Sequence, residues 1–464
     1  MPDPARDLIV LGAGPAGLAA AWRAALRGLS VTVLERAAEP GGMAGSFSVD
    51  GIRVDHGSHR LHPATPSHLL DHLRGLLGDD LQTRPRNGRL RVYDRWIGFP
   101  LRPTELVRAV PLRAAARIAR DAVRGPFTPR RGDSYEAVLT RSLGPELYHA
   151  LHAPYAVKLW GLPGSDVDAE QARVRVTADT PWKVAARALR RRGDGQGRVF
   201  HYPRRGFGQI VTALAEASAD SGVDLRLAQE VTGLRNSIDV VTVQTDDGEH
   251  RSRRVFSTVP LPVLARLVSP PAPTAALADA DALRFRAMVL VYVVHAGGRW
   301  TPYDAHYLPG LETPITRISE PTNYRDSDAD PHDRTVLCVE IPCERGDRVW
   351  SASDDALADL MTDGFATAGL PPVAIAGVVV RRLPRVYPVY ERGFADRLAG
   401  LEAWADALPR ITTFGRLGLF AHDNTHHAMA MAYAAVDCLG PDGAWDARRW
   451  AAARTSFRDH VVED

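Results

Sequence analysis

The segment DLIVLGAGPAGLAAAWRAALRGLSVTVLER (7–36) constrains the fold more than any other part of this chain. Residues 8–11 are uniformly apolar, as a buried strand requires. Gly12-x-Gly14-x-x-Gly17 comes next, then an alanine-rich helix up to Gly28, then a second strand, SVTVLE, ending on Glu35. Each part has a physical task around a dinucleotide. Gly12 permits the tight turn, Gly14 lets a pyrophosphate approach the backbone, and Gly17 lets helix and strand pack closely. The helix opens at Pro15 and Ala16 and directs free N–H groups and a positive dipole end at the phosphates. Glu35 ends its strand where a carboxylate can accept both ribose hydroxyls, with Arg36 beside it. A lone GxGxxG says little. Strand, glycines, helix, strand and acid in this order predict a Rossmann-type nucleotide site.

The stretch after Glu35 selects the nucleotide. AAEPGGMAGSF brings a second glycine loop with Gly42, Met43 and Ala44. A plain nicotinamide site has no need of it, whereas FAD must run its ribityl chain and ring system further along the protein. GIRVDHGSHRLHP (51–63) then predicts a short strand and a turn at Gly57, which puts Ser58, His59 and Arg60 on a loop. No second GxGxxG occurs; GDGQG (193–197) lacks both the spacing and a preceding apolar strand. A built-in nicotinamide domain is therefore not expected.

Composition bounds the rest. The 464 residues exceed one ordinary core, and a net charge of +2 gives no reason to propose a nucleic-acid partner. Arginine supplies nearly all the positive charge, with lysine only at 158 and 183. The basic run Arg84, Arg86, Arg89, Arg91 and Arg95 reads as a solvated face. Three scattered cysteines form no disulfide framework or metal motif and fit a reduced, cytoplasmic setting. No run of about 18 apolar residues predicts a membrane span.

Near the other end, FAHDNTHHAMAMA (420–432) begins polar and runs into small apolar residues. This pattern predicts a buried helix whose N-terminus is capped or faces a bound group. His422 and His426 stand four residues apart, but no third ligand is near in sequence, and no metal site is assigned.

Taken with APYAVKLWGLP (153–163), HYPRRGFGQIVTALAE (201–216), AQEVTGL (228–234), FSTVPLPVLARLV (256–268), TPITRISEP (313–321), RVYPVY (385–390) and GRLGLFAHDNTHHAMAMAYAA (415–435), the chain resembles the flavin-containing amine oxidase and protoporphyrinogen oxidase-like superfamily. It is most similar to the branch that includes UDP-galactopyranose mutases. The resemblance implies that Gly415 and Arg416 form a turn, and that the next helix, from Asn424 and Thr425 through His426 and Ala428, points its N-terminus at the flavin pyrimidine. It implies that Val231 meets the adenine, and that Tyr155, Trp160, Arg317, Tyr387 and His422, with Arg60, lie on the substrate side. The mutases use tyrosines in the last motif to hold a diphosphate; Phe420 and His422 stand there, and His426 replaces an acid.

The expected fold class is α/β: a Rossmann-type FAD domain (1–95, 199–268 and 378–464) interleaved with an α+β substrate domain (96–198 and 269–377), made of a helical cap and an antiparallel sheet. Two functions fit. One is oxidation or desaturation of a sugar-like or biosynthetic small molecule by hydride transfer to non-covalent FAD, with His59 as the candidate base. The other is a non-redox, mutase-like isomerisation of a nucleotide sugar, with Trp160 as a stacking face and Arg317 as a phosphate fork. Lys158 is a candidate tunable base or a buried ion-pair partner, and His426 a titratable group near the ring.

Overall fold

The computed structural model describes residues 5–100, 105, 109–124, 132–175, 199–440 and 443–462. The segment 193–197, and most of the span expected to complete the helical cap after 175, lie outside the described residues.

Two large sheets organise the molecule. In the first, the strands run in the order Val268–Ser269, Val231–Asn236, Val241–Thr245, Gly248–Ser257, Arg6–Leu11, Val31–Leu34, Asp224–Arg226, and Ile411–Thr413 also pairs with Gly248–Ser257. Arg6–Leu11 is parallel to both neighbours, with Val10 opposite Phe256 on one side and Val33 on the other. A parallel central strand is buried on both faces, which is why LIVL and VTVL carry no polar alternation. Helices Pro15–Ala25 and Thr425–Asp437 pack together over this sheet, and their alanines share one core with Val10, Val33 and Phe256. The two ends of the chain therefore meet in a single hydrophobic cluster.

The second sheet runs Ile375–Pro388, Phe285–Ala296, Arg334–Cys343, Arg317–Ser319, Ala305–Tyr307, Gly88–Val92, Arg95–Phe99. Phe285–Ala296 shows the period-2 pattern of a strand covered on both sides. Val289, Val291 and Val293 face a core that includes Leu357, Met361 and Phe365 of the helix Asp354–Thr367. Met288, Leu290 and Tyr292 face Val49, Ile52 and Val54. Each such aliphatic side chain contributes about 1.5–3 kcal/mol by leaving water. Among the described residues, helices Leu112–Arg124, Tyr135–Leu143, Ala153–Trp160 and Ala169–Arg175 lie in the region expected to form a cap.

The sheets shift several sequence expectations. The hairpin Gly88–Phe99 and the strand Ile375–Pro388 belong to the second sheet, so the boundaries expected at 95 and 378 fall within its elements. Their apolar content fits either sheet; only long-range pairing assigns them. Within FSTVPLPVLARLV the strand ends at Ser257, and a helix, Leu261–Leu267, begins after Pro260. Proline at the first helical turn is the local cause.

Candidate active site

The glycine loop leaves a groove at the end of the first strand. Gly12 has φ +102°, and a side-chain carbon there would stand 2.4 Å from Thr258 Oγ1. A carbon on Gly17 would fall 1.9 Å from the Gly12 carbonyl oxygen, so helix and strand touch through bare backbone. Gly14 and Gly42 face each other: a carbon on Gly42, itself at φ +55°, would sit 3.3 Å from Gly14 Cα. Side chains at these positions would fill the cradle, so the site fits a ligand that lies against backbone. Met43 and Ala44 complete the short 3-10 turn Gly42–Ala44, and Ala44 is buried.

Glu35 is fixed beside this cradle. One carboxylate oxygen accepts the Ala13 amide at 2.8 Å and the other the Ala37 amide at 2.9 Å. A carboxylate has roughly four acceptor positions, so capacity remains for ribose hydroxyls. Arg36 is exposed at the same strand end. Val231 is half-buried where its strand starts.

The chain's last motif closes on the same place. A carbon on Gly415 would meet Ala16 Cβ at 3.3 Å and Thr258 Cβ at 3.9 Å. Arg416 donates to the carbonyls of Asp423 (2.7 Å) and Val386 (3.0 Å), pinning the Gly-Arg turn to the start of the next helix. Asn424 is the N-cap of that helix, with φ −80° and ψ 167°, and its amide donates to His427 Nδ1 at 3.2 Å. Thr425 is the first helical residue, and His426 and Ala428 are buried on the first turns. The polar cluster thus caps its helix, and that helix packs against the one that begins at the glycine loop.

The Gly57–Arg60 loop follows His56, whose Nδ1 lies 3.3 Å from the Gly42 carbonyl. Gly57 turns at φ +95°. The Ser58 amide donates to Glu340 Oε1 at 2.8 Å, and the Ser58 hydroxyl meets Tyr324 OH. The half-buried His59 stacks on Phe207 at 5.2 Å, and its Nε2 lies 3.1 Å from the His56 carbonyl. A carbonyl only accepts, so Nε2 carries the proton and the Nδ1 lone pair is left to act. Burial pulls the His59 pKa below its ordinary value of 6.5, against the opposing field of Asp55, which keeps the ring neutral at pH 7. Arg60 donates to Asp304 (3.0 Å), Tyr307 OH (3.0 Å) and Tyr324 OH (3.2 Å).

Three positions differ from the sequence expectation. The expected phosphate fork, Arg317, is already engaged: its Nε and Nη2 donate to the two oxygens of Glu340 at 3.0 and 2.9 Å. The expected stacking face, Trp160, is 1% exposed and packs edge-on against Tyr135, with ring centroids 5.0 Å apart. Lys158, expected as a tunable base or an ion-pair partner, is buried against main chain. Its ammonium donates to three backbone carbonyls, Leu308 (2.6 Å), Gly310 (2.7 Å) and Ile315 (2.5 Å). Burial lowers its pKa to about 7, but with all three N–H groups engaged it clamps a loop.

Tyr155 is half-buried among the cap helices. Tyr387 lies under two guanidinium groups, Arg175 at 4.9 Å and Arg416 at 5.3 Å, with the His422 ring 5.9 Å away. His422 is buried with Nε2 on the Pro388 carbonyl at 2.7 Å, and burial and the two arginines drive its pKa well below 6.5. Asp423 meets His427 and His460. Sequence reasoning misses Glu340, Asp304, Thr258, Asp423 and His460. Glu340 alone carries a signal, as the one acid inside the apolar run TVLCVEIP, where an unpaired charge would be costly.

Comparisons with known proteins bear on the fold and the family. The reduced UDP-galactopyranose mutase structure superposes with a TM-score of 0.82, covering 98% of this chain and 100% of that one at 20% identity. Putrescine oxidase bound to putrescine gives a TM-score of 0.64 at 18% identity, over 94% of this chain and 98% of that one. At these identities the likeness is one of fold. A phytoene dehydrogenase from Streptomyces griseus is 30% identical over 291 residues, which span 57% of this chain and only 56% of that protein. The family model for flavin containing amine oxidoreductases matches residues 15–413. With its glycine cradle, Glu35 and the closing Gly415 turn, the chain belongs to the flavin-containing amine oxidoreductase family.

Proposed function

We propose that the protein is an FAD-dependent oxidoreductase that oxidises or desaturates a sugar-like or natural-product biosynthetic small molecule. When bound, the flavin supplies the acceptor for a substrate hydride. The chain's residues supply the rest. The Gly14–Gly42 cradle and the helix beginning at Pro15 take the pyrophosphate, and Glu35 takes the adenosine ribose. The helix capped by Asn424 directs its N-terminal N–H groups and dipole toward negative charge on the reduced ring. His59, neutral and oriented through Nε2, accepts a proton from the substrate at Nδ1.

One observation favours oxidation over the mutase-like alternative: the closed pair between Arg317 and Glu340. With Nε and Nη2 on the carboxylate and Nη2 also donating to the Ser58 carbonyl at 3.3 Å, Arg317 keeps only its Nη1 donors for a diphosphate. The buried Trp160 points the same way, and Phe420, 0% exposed, brings no phenol. The partial likeness to a phytoene dehydrogenase supports a C–H bond as the site of attack.

Non-covalent binding fits the cysteines, all of them buried and free. Cys438 ends the last-motif helix roughly 20 Å along the axis from Asn424, too far to reach a ring at the other end. Among the described residues no helix is long and apolar enough to cross a membrane.

The deciding experiment is anaerobic mixing of the yellow protein with amines, sugars, sugar nucleotides and phytoene. Bleaching by one of these without prior reduction supports the oxidoreductase. Turnover of a nucleotide sugar only after dithionite reduction, with no oxygen uptake, would establish the isomerase instead.

A further inference from the structure

We propose that a cleft walled by Arg254 and two tryptophans, outside the flavin cradle, binds one small organic carboxylate with an apolar body. The strand Gly248–Ser257 alternates its side chains. Val255 packs into the core on one face of the sheet and Phe256 into the core on the other. Arg254 shares the Phe256 face, and both meet the Trp445 ring: Arg254 Cζ lies 4.5 Å from its centroid, and the Phe256 ring centroid 6.0 Å.

Arg254 is a buried cation without a counter-ion. It is 7% exposed. Its Nη1 donates to Thr412 Oγ1 at 3.3 Å, while Nε and Nη2 have no hydrogen-bond partner among the described residues. The other charge felt there is a second cation: burial first, then Arg410, pull the Arg254 pKa down to about 10. Buried charges are ordinarily paired, and the described residues supply no anion to this one. The Trp445 ring offsets part of the cost. Stacking on a ring occupies the face of a guanidinium, however, and leaves its in-plane donors unused.

The space beside these donors has a definite size and lining. Arg254 lines a cleft of about 190 Å³ between its strand, the turn at Ala407 and the start of the helix Ala447–Phe457. Leu408, Pro409, Ile411, Trp445 and Trp450 give it apolar walls. Asp406 also borders it, but its Oδ1 accepts Arg454 Nη1 at 3.2 Å, so that charge is matched. Ala447 brings the positive end of its helix to the same space, which adds to the attraction for an anion.

This lining selects among anions. A guanidinium recognises carboxylate and phosphate alike. Phosphate would turn its remaining charged oxygens toward leucine, proline and tryptophan, which is costly. A carboxylate carries its charge at one end and leaves its body for the apolar walls. An engineered apolar cavity of about 150 Å³ holds benzene, so about 190 Å³ admits one ring or a short branched chain with its carboxylate. The site stands on these contacts and does not depend on the redox proposal.

Benzoate is the probe, titrated by calorimetry into the flavin-loaded full chain, with inorganic phosphate and benzyl alcohol in parallel. The expected result is one saturable benzoate site per chain, with phosphate silent and benzyl alcohol at least about tenfold weaker. Arg254→Leu should weaken benzoate at least about tenfold, and removing an unpaired buried charge should leave the fold intact. Ala407→Trp, at an exposed position on the wall, should obstruct the cleft with Arg254 unchanged, and it decides if Arg254→Leu does not fold. Benzoate seated at the flavin instead would perturb the flavin absorption spectrum and survive both substitutions. Such survival, equal affinity for phosphate, or no saturable benzoate binding up to about 10 mM overturns the proposal and leaves Arg254 held by Trp445 and Thr412 alone.

Discussion

Arg317 and Glu340 form a two-point pair across adjacent strands, Nε to Oε1 at 3.0 Å and Nη2 to Oε2 at 2.9 Å, and the same carboxylate accepts the Ser58 amide at 2.8 Å. The pair therefore joins the second sheet to the loop that carries His59. Removing one partner strands the other: Glu340→Ala should destabilise the protein by about 3–5 kcal/mol, whereas replacing both residues by apolar side chains of similar size should recover most of that loss. Urea unfolding of the single and double variants checks this. Equal losses in both would show that the Ser58 contact, and not the ion pair, dominates.

The cofactor half of the site makes a separate prediction. Glu35→Ala removes a charged acceptor for the ribose and frees the Ala13 and Ala37 amides. A hydrogen bond to a charged group is worth about 1.5–3 kcal/mol, so FAD affinity should fall roughly 10- to 150-fold. Gly42→Val should be worse, since its side chain would enter the cradle at a backbone φ of +55°. Fluorescence titration of apoprotein with FAD measures both. Unchanged affinity in Glu35→Ala would remove the adenosine from this end of the site.

The cradle and the ion pair also mark what a sequence can reveal. The glycine cradle is legible because its physics is local: turn, approach and packing are fixed by residues within one βαβ unit. The Arg317–Glu340 and Arg60–Asp304 pairs are not, because their partners lie 23 and 244 positions apart and meet only when the second sheet assembles. Arg317 reads as available because nothing beside it in sequence neutralises it. His460 stands in a terminal stretch without periodicity, so its approach to Asp423 is set entirely by the packing of the helix Ala447–Phe457. Lys158 stands out by its rarity, but rarity does not distinguish a base from a clamp.

That distinction is testable. Lys158→Met keeps the stem and removes three N–H donors, leaving the carbonyls of Leu308, Gly310 and Ile315 without their shared partner. An unsatisfied buried polar group costs about 1–3 kcal/mol. The variant should unfold at lower urea while its flavin reduction rate, measured well below its melting temperature, stays within about twofold. A rate loss of about a hundredfold or more in a folded variant would restore a catalytic role.

His59 yields the pH dependence. Burial, the largest influence, lowers its pKa below 6.5 in the folded state. Between the folded and unfolded values the unfolded chain binds more protons, so this residue's contribution to stability is complete above pH 6.5 and is lost as pH falls through the folded pKa. Catalysis has the same sign, because a base must be unprotonated to accept. The rate constant for anaerobic flavin reduction should reach a plateau on the alkaline side and decline about tenfold per pH unit on the acid side, with its midpoint below 6.5. His59→Gln keeps a polar side chain of comparable reach in the loop but cannot titrate; it should lower the plateau by about 10²–10⁴ and abolish the acid limb. If the limb persists unchanged in that variant, the titrating group lies elsewhere and His59 only positions the loop against Phe207.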